Sequence, residues 1–312
     1  MTGSRVVAVG HHQPDRVLTN AELATMVDTS DEWIRSRVGI ETRRIAADDE
    51  TVDSMAAQAA AKALAGAGLA PADIDYLVVA TCTAIDRSPN MAARVAARLG
   101  VTTPAAIDVN TACSGFTHAL ATADHAIRAG AATRALVIGS EKLTDFTDWT
   151  DRSTCVLVGD GAGAVVLVAS PEPEVGPVTW GSVPEMSNAV RIEGRLGTFG
   201  QEGQAVFRWA TTELPRIARL ACERSGITPD ELGGIVLHQA NLRIIEPLAA
   251  RIGATDAVVA RDVVESGNTS AASIPMALSK LVERREIAAG APVLLFGFGG
   301  GLSYAGLVIR CP

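Results

Sequence analysis

Aromatic side chains are scarce in this 312-residue chain: six Phe, four Trp and two Tyr, 4% of the whole. A nucleic-acid surface built on base stacking needs more of them. Positive charge is also short. Twenty-seven Lys and Arg stand against 35 Asp and Glu, a formal charge of −8, which argues against nucleic acid as a main partner. No apolar run reaches the ~18 residues of a membrane-spanning helix, so no membrane partner is expected. The opening MTGSRVVAVGHHQPDR has no basic segment leading into a long apolar one. It does not read as a secretion signal, and the cytoplasm is the default location.

The five cysteines (Cys82, Cys113, Cys155, Cys222, Cys311) include no CxxC pair and are odd in number. They argue against a disulfide framework and against a zinc knuckle. The five histidines (His11, His12, His118, His125, His238) form no HExxH-type pair. Neither a metal nor a cofactor is expected. RSRVGIETRR, residues 35–44, packs four arginines into ten residues; it reads either as a solvated surface or as a site for an anion.

What is present is an internal repeat. GLAPADIDYLVVA (68–80) resembles GITPDELGGIVLH (226–238), with Gly68, Pro71 and Val78 recurring 158 residues later as Gly226, Pro229 and Val236. VAARLG (95–100) resembles LAARIG (248–253) at a spacing of 153, and ALVIG (135–139) matches VLLFG (293–297), again at 158. Each half ends in a Gly-rich turn and an apolar run, GDGAGAVVLVA (159–169) and GFGGGLSYAGLVI (297–309). Matches in one order along the chain indicate duplication.

The first half reads as alternating helices and strands. MAAQAAAKALAGAG (55–68) is a helix and DYLVVAT a strand. SPNMAARVAARLG is an amphipathic helix starting near Ser88–Pro89. AAIDV is a strand, SGFTHALATADHAIRAG a helix ending at Gly130, and RALVIGS a strand. Continuous Val, Ile and Leu strands between helices predict sheets covered on both faces. Two such halves stacked give an α/β fold of five layers with pseudo-twofold symmetry. The Gly-rich runs precede strands, not helices, so they lack the context of a dinucleotide fingerprint.

Cys113 lies between the strand AAIDV and the helix that follows. Helix N-terminal N–H groups would favour a thiolate there, lower its pKa and hold an oxyanion. A small buried hydrophobe is the other reading. The remaining cysteines read as buried filler. His238 ends the strand GIVLH, and residues at strand ends line the crevice of α/β folds; a hydrogen-bonded core histidine is its other reading. His11 and His12 read as loop residues, and His118 and His125 as helix residues without a chemical role. Asn268, in ESGNTSAASIPMALSKLVE, sits in a turn and is either a helix cap or a side chain presented to a site. Its loop parallels NTACSGF, so the two loops should meet across the pseudo-twofold axis. A cysteine with neutral His and Asn donors suits ping-pong carbon–carbon bond formation, in which the thiol takes an acyl group and the donors stabilise an enolate.

NTACSGF, LHQANLRII, ESGNTSAASIP and FGFGGGLSYAG, with DTSDEWIRSRVGIETRRI and DRSTCVLVGDGAGAVVL, resemble 3-oxoacyl-[acyl-carrier-protein] synthase III, the ketosynthase III branch of the thiolase-like condensing enzymes. The likeness covers essentially the whole chain, in order. A degradative thiolase would carry a second cysteine near the C-terminal Gly-rich run, and FGFGGGLS has none. The resemblance implies a thiolase-like αβαβα fold of two duplicated halves, 1–170 with Cys113 and 171–312 with His238 and Asn268. It implies that Cys113 is acylated, that His238 and Asn268 bind the malonyl thioester, and that the N–H groups of Cys113 and Gly300 form an oxyanion hole. Trp33 and Arg152 would stack about the CoA adenine, with Arg37 near its phosphates. Ser88, Phe207, Trp209 and Asn241 would line the tunnel and acyl pocket. Arg208, Arg243 and Arg251 would draw an acidic carrier protein to the tunnel mouth; as residues alone they read equally as surface charge. The implied partners are acyl-CoA, malonyl-acyl carrier protein and a second copy of the chain, with CoA thioesters as substrates, not cofactors.

The sequence departs from the family pattern in two places. The segment between TWGS (179–182) and QAVFRWA (204–210) is short by an estimated eight or so residues. Ser88 stands where a bulky aromatic reaching the partner's acyl pocket is the family expectation; the small residue deepens that pocket, and Trp209 would refill part of it. Longer, branched or unusual starters are therefore expected beside acetyl. An acyltransferase without condensation is the competing activity. A non-catalytic subunit is a third reading, and Cys113 speaks against it.

Overall fold

The computed structural model of the chain describes residues 3–194 and 197–312. Two five-stranded sheets repeat one pattern. The first holds β1 (Gly3–His12), β2 (Tyr76–Ala80), β3 (Ala105–Val109), β4 (Arg134–Lys142) and β5 (Asp160–Ser170), in the order β1-β5-β4-β2-β3. The second holds β6 (Thr179–Gly181), β7 (Gly234–Leu237), β8 (Val258–Val259), β9 (Pro292–Gly299) and β10 (Ser303–Arg310), in the order β6-β10-β9-β7-β8. The strand senses agree as well. β4 runs parallel to β2 and antiparallel to β5, as β9 does to β7 and β10.

The main helices are α1 (Asp31–Val38), α2 (Val52–Ala67), α3 (Met91–Leu99), α4 (Gly115–Arg128), α5 (Gly203–Thr212), α6 (Leu214–Arg224), α7 (Leu242–Ile252) and α8 (Ser273–Glu283). α2 and α3 cover the outer face of the first sheet, α6 and α7 that of the second, and α4 and α8 lie between the sheets. Helix, sheet, helix, sheet, helix is the five-layer order the sequence predicts. The continuous apolar strands follow from it. In β2, Leu77 and Val79 face α2 and α3, while Val78 and Ala80 face α4, and all four are fully buried. Ala56, Ala59, Ala60 and Ala63 form a wholly buried face of α2, whose small side chains let the helix lie close against the sheet.

Three local expectations need correction. α3 starts at Met91, because Asn90 caps it by accepting the Ala93 N–H. α4 ends at Arg128, and Gly130, at φ 76°, makes the turn beyond it. His11 and His12 finish β1, paired with Gly163 and Ala162, instead of lying in a loop.

The repeat is exact in register around the centre of the molecule. Residues 112–114 and 270–272 each form a single 3₁₀ turn leading into the central helices α4 and α8. Ala112 and Ser270, 158 residues apart, both hold φ at 45°. A left-handed non-glycine residue of this kind costs roughly 1–3 kcal/mol and persists only where its surroundings impose it. Here it appears twice, at equivalent places, and the two turns touch.

Candidate active site

The two turns bring the predicted residues together. A cavity of about 540 Å³ is lined by Cys113, Asn268, Ser270 and Gly300, with Asn110 and Cys82 beside them. Close approach of the chain is needed at two glycines. A Cβ on Gly299 would lie 2.6 Å from Cys113 Cβ and 2.8 Å from its Sγ. A Cβ on Gly139 would lie 2.3 Å from the Ala271 carbonyl oxygen, so the 270–272 turn packs directly on β4.

Cys113 is buried, and the backbone N–H groups of Gly300 and of Cys113 itself favour its charged form. That is the donor pair an oxyanion on an attacked acyl carbon requires. Its pKa runs opposite to the sequence expectation. Burial pushes the Cys113 thiol up, the Ser270 hydroxyl and the Gly300 N–H pull it down, and the nearby Glu141 carboxylate raises it again. Desolvation is the largest of these effects, so the resting group is a thiol.

Glu141 is a wholly buried acid that no sequence motif singles out. Its carboxylate accepts hydrogen bonds from Thr83 Oγ1 (2.6 Å), Thr81 Oγ1 (3.0 Å) and the Cys82 N–H (3.1 Å). Burial raises its pKa and those donors oppose the rise. Cys82 is not inert filler. It lines the cavity, its Sγ lies 3.3 Å from Glu141 Oε1 and 3.5 Å from Ser270 Oγ, and burial drives its pKa well up. The one sequence signal for Ser270 was its place in the repeat, opposite Ala112.

Asn268 is held at both ends of its peptide unit. Its N–H donates to the Leu157 carbonyl (2.7 Å), and its own carbonyl accepts from Gly159 N–H (3.0 Å). Its Oδ1 accepts the Ser270 N–H at 2.9 Å. The carbonyl end of the amide is thus occupied, which leaves the NH₂ as a donor toward the cavity.

His238 follows β7 directly. It is 2% exposed and stands edge-on to Phe298, ring centroids 5.4 Å apart. Phe298 precedes Gly299, which abuts Cys113. The imidazole stands in the adjoining wall and not among the residues lining the cavity itself. Its Nδ1 lies 2.8 Å from Ser273 Oγ. Burial lowers its pKa to about 3, so the ring is neutral.

A second cavity, about 600 Å³, gathers five residues expected near the tunnel: Arg37, Phe207, Arg208, Asn241 and Arg243. Asn241 caps α7, its Oδ1 accepting Ile244 N–H at 3.1 Å. Arg152 sits over the Trp33 ring, 5.0 Å from the centroid, and donates to the Asp28 carbonyl. Trp33 and Arg37 share α1 four residues apart. The arginines of 35–44 have separate fates. Arg35 pairs with Asp31 and Glu41, Arg37 faces the second cavity, Arg44 donates to backbone carbonyls, and Arg43 is fully buried on Asn20 and the Val156 carbonyl.

Two expected residues lie elsewhere. Trp209 is in the core, packed on the rings of Phe298 and Tyr304 (6.4 and 6.5 Å), because its position on α5 faces inward. Arg251 donates to the Thr211 carbonyl and so caps the end of α5 instead of facing a cavity. Ser88, expected at the partner's pocket, is exposed in the loop 81–90. Arg195 and Leu196, in the short segment before α5, lie outside the described residues; the rest of that segment gives Val190, Ile192 and Phe199 to the wall beside Cys113.

A five-layered duplicated fold with a buried cysteine that shares a cavity with the Gly300 backbone and the Asn268 amide defines a thiolase-like acyl-transferring enzyme. Comparison with known proteins narrows the class. Sequence profiles of the family described as 3-oxoacyl-[acyl-carrier-protein] synthase III match residues 107–184, and those of its C-terminal part match 222–311. The chain is 74% identical to β-ketoacyl-[acyl-carrier-protein] synthase III 2 of Streptomyces avermitilis, over 100% of both chains. It is 72% identical to synthase III 4 of Streptomyces coelicolor, over 99% of each. Among solved structures, the priming β-ketosynthase of the R1128 polyketide pathway superposes with a TM-score of 0.96 at 40% identity, over 99% of this chain and 96% of that one. This chain therefore belongs to the 3-oxoacyl-[acyl-carrier-protein] synthase III family and is an acyl-transferring condensing enzyme.

Proposed function

We propose that the chain primes fatty-acid or polyketide synthesis in the cytoplasm through an acyl-enzyme on Cys113. The thiol attacks the carbonyl of an acyl-CoA, the N–H groups of Cys113 and Gly300 take the negative charge on oxygen, and CoA leaves with the thiol proton. Malonyl-acyl carrier protein then binds with its thioester carbonyl at the Asn268 amide and His238 Nε2. Carbon dioxide departs, the electron pair it leaves forms an enolate that these donors stabilise, and the enolate carbon attacks the Cys113 thioester. The product is a 3-oxoacyl-carrier protein; Cys113 leaves as a thiolate and takes a proton from solvent, which restores the thiol.

The observation that carries this reading is the single cavity that Cys113 shares with Gly300 and Asn268. Condensation is favoured over simple transfer because Asn268 has its Oδ1 occupied and its NH₂ free, a donor that acyl transfer alone does not use. Arg37, Arg208 and Arg243 around one cavity suit the CoA phosphates and an acidic carrier. The apolar wall of Leu143, Val190, Ile192 and Phe199 in about 540 Å³ suits starters longer than acetyl. The halves 1–170 and 171–312 divide the work: nucleophile from one, enolate donors from the other. The active form is a homodimer in which β3, an edge strand with Ile107 37% exposed, pairs with its copy and Ser88 walls the partner's pocket. Incubation with labelled acyl-CoAs, with and without malonyl-carrier protein, tests the chemistry. Label on the wild type, none on Cys113→Ala, and a 3-oxoacyl product support it. Labelled enzyme that never yields a carbon–carbon product sinks condensation.

A further inference from the structure

The duplicated halves differ at one pair of touching positions. In the first half, β2 ends at Ala80 and α4 begins at Gly115; a Cβ on Gly115 would lie 3.2 Å from Ala80 Cβ, so only small apolar groups meet there. The same two positions, 158 residues on, are His238 and Ser273, and they meet through Nδ1 and Oγ at 2.8 Å. Both members are small and apolar in one copy and polar in the other. Neither change stands alone: His238 is 2% and Ser273 1% exposed, and a buried polar group left without a partner is destabilising.

The Ser273 oxygen also accepts the Gln239 N–H, at 3.3 Å. Its single proton goes to its other contact, the His238 Nδ1, since among the described residues no backbone carbonyl takes it. A neutral imidazole that accepts at Nδ1 carries its own proton on Nε2. We infer that Ser273 is a positioning residue that fixes His238 as the Nε2–H tautomer and holds the ring against Phe298, so that Nε2–H is available as a donor to the thioester carbonyl. Ser273 touches no reacting atom and acts only through His238. The inference rests on the role given to His238 above.

Two measurements test it. In ¹⁵N-histidine-labelled wild type, with the His238 signals identified by their loss in His238→Ala, the ring should titrate as a neutral Nε2–H tautomer; a neutral Nδ1–H ring overturns the inference with no activity needed. Ser273→Ala and Ser273→Thr are then compared in the separate half-reactions. In Ser273→Ala, Cys113 acylation by acyl-CoA should stay within about twofold. Decarboxylative condensation should drop about 10–100-fold in kcat with KM little changed, the loss seen when an outer partner of a working histidine is removed. Ser273→Thr, which keeps the hydroxyl, should recover most of the rate. Equal loss in both half-reactions, or an unaltered condensation rate in Ser273→Ala, overturns the inference. If Ser273→Ala does not fold, the wild-type tautomer still decides it. A wild type that acylates but never condenses would count against the proposed reaction, and the tautomer would still report on Ser273.

Discussion

Gly299→Ala is the sharpest perturbation of the oxyanion geometry. The added methyl would sit 2.6 Å from Cys113 Cβ and 2.8 Å from its Sγ, against an ordinary carbon contact of about 3.5 Å. The β9–β10 hairpin or the Cys113 turn must therefore retreat by roughly 0.7–0.9 Å. Overpacking of this size costs about 1–3 kcal/mol in stability. The larger effect is chemical. A retreat of that size carries the neighbouring Gly300 N–H out of the ~3 Å range in which it can hold an oxyanion. Loss of one such donor slows the step about 10²–10³-fold. Single-turnover acylation by labelled acyl-CoA, read as acyl mass on the Cys113 peptide, measures the rate, and thermal unfolding measures the cost in stability. A variant that melts a few degrees lower yet acylates at the wild-type rate would refute the idea that this close approach sets the oxyanion geometry.

Asn268→Asp keeps an oxygen for the Ser270 N–H but removes the NH₂, so condensation should fall about 10²–10³-fold while Cys113 acylation persists, as carrier-bound product against acyl-enzyme will show. Arg37→Ala and Arg243→Ala should raise KM for acyl-CoA or malonyl-carrier protein several-fold and flatten its dependence on ionic strength, with kcat little changed. Asp160, buried and accepting from Ala46 N–H and Thr144, has its pKa raised by burial to about 6. The folded state therefore holds that proton more tightly than the unfolded chain, and stability should be greatest below pH 4 for this group and decline by up to about 3 kcal/mol as pH rises from 4 to 6. Denaturant midpoints across that window should decline less in Asp160→Asn. Ile107→Arg on the β3 edge should yield monomers in sedimentation velocity.

The layers were legible because buried strands and small-residue helices leave a strong periodic signature, and the repeat spacing aligned Asn268 with Asn110 before any coordinates. Cys113 was legible from its place between strand and helix. Its raised pKa was not, because its burial is tertiary and the Glu141 charge that adds to the rise is distant in the sequence. Cys82 was misjudged for the same reason: its neighbours in sequence are apolar, and its partners in space are Glu141 and Ser270. Trp209 and Arg251 show a different limit. Their residue types suit a pocket and an acidic partner, but which way each faces depends on where α5 and α7 rest on the second sheet.

The two halves keep a spacing of 158 residues at the inner turns and central helices, while the outer helix and edge strand of each half run at 153. The difference is absorbed at the rim, where ten residues, 81–90, join β2 to α3 and only four, 238–241, join β7 to α7. Length has thus been free to vary at the periphery without moving Cys113, Asn268 or His238 relative to one another. A fold with that property can acquire new starter preferences by exchanging a rim loop, because the reacting frame has no term that depends on the loop's length.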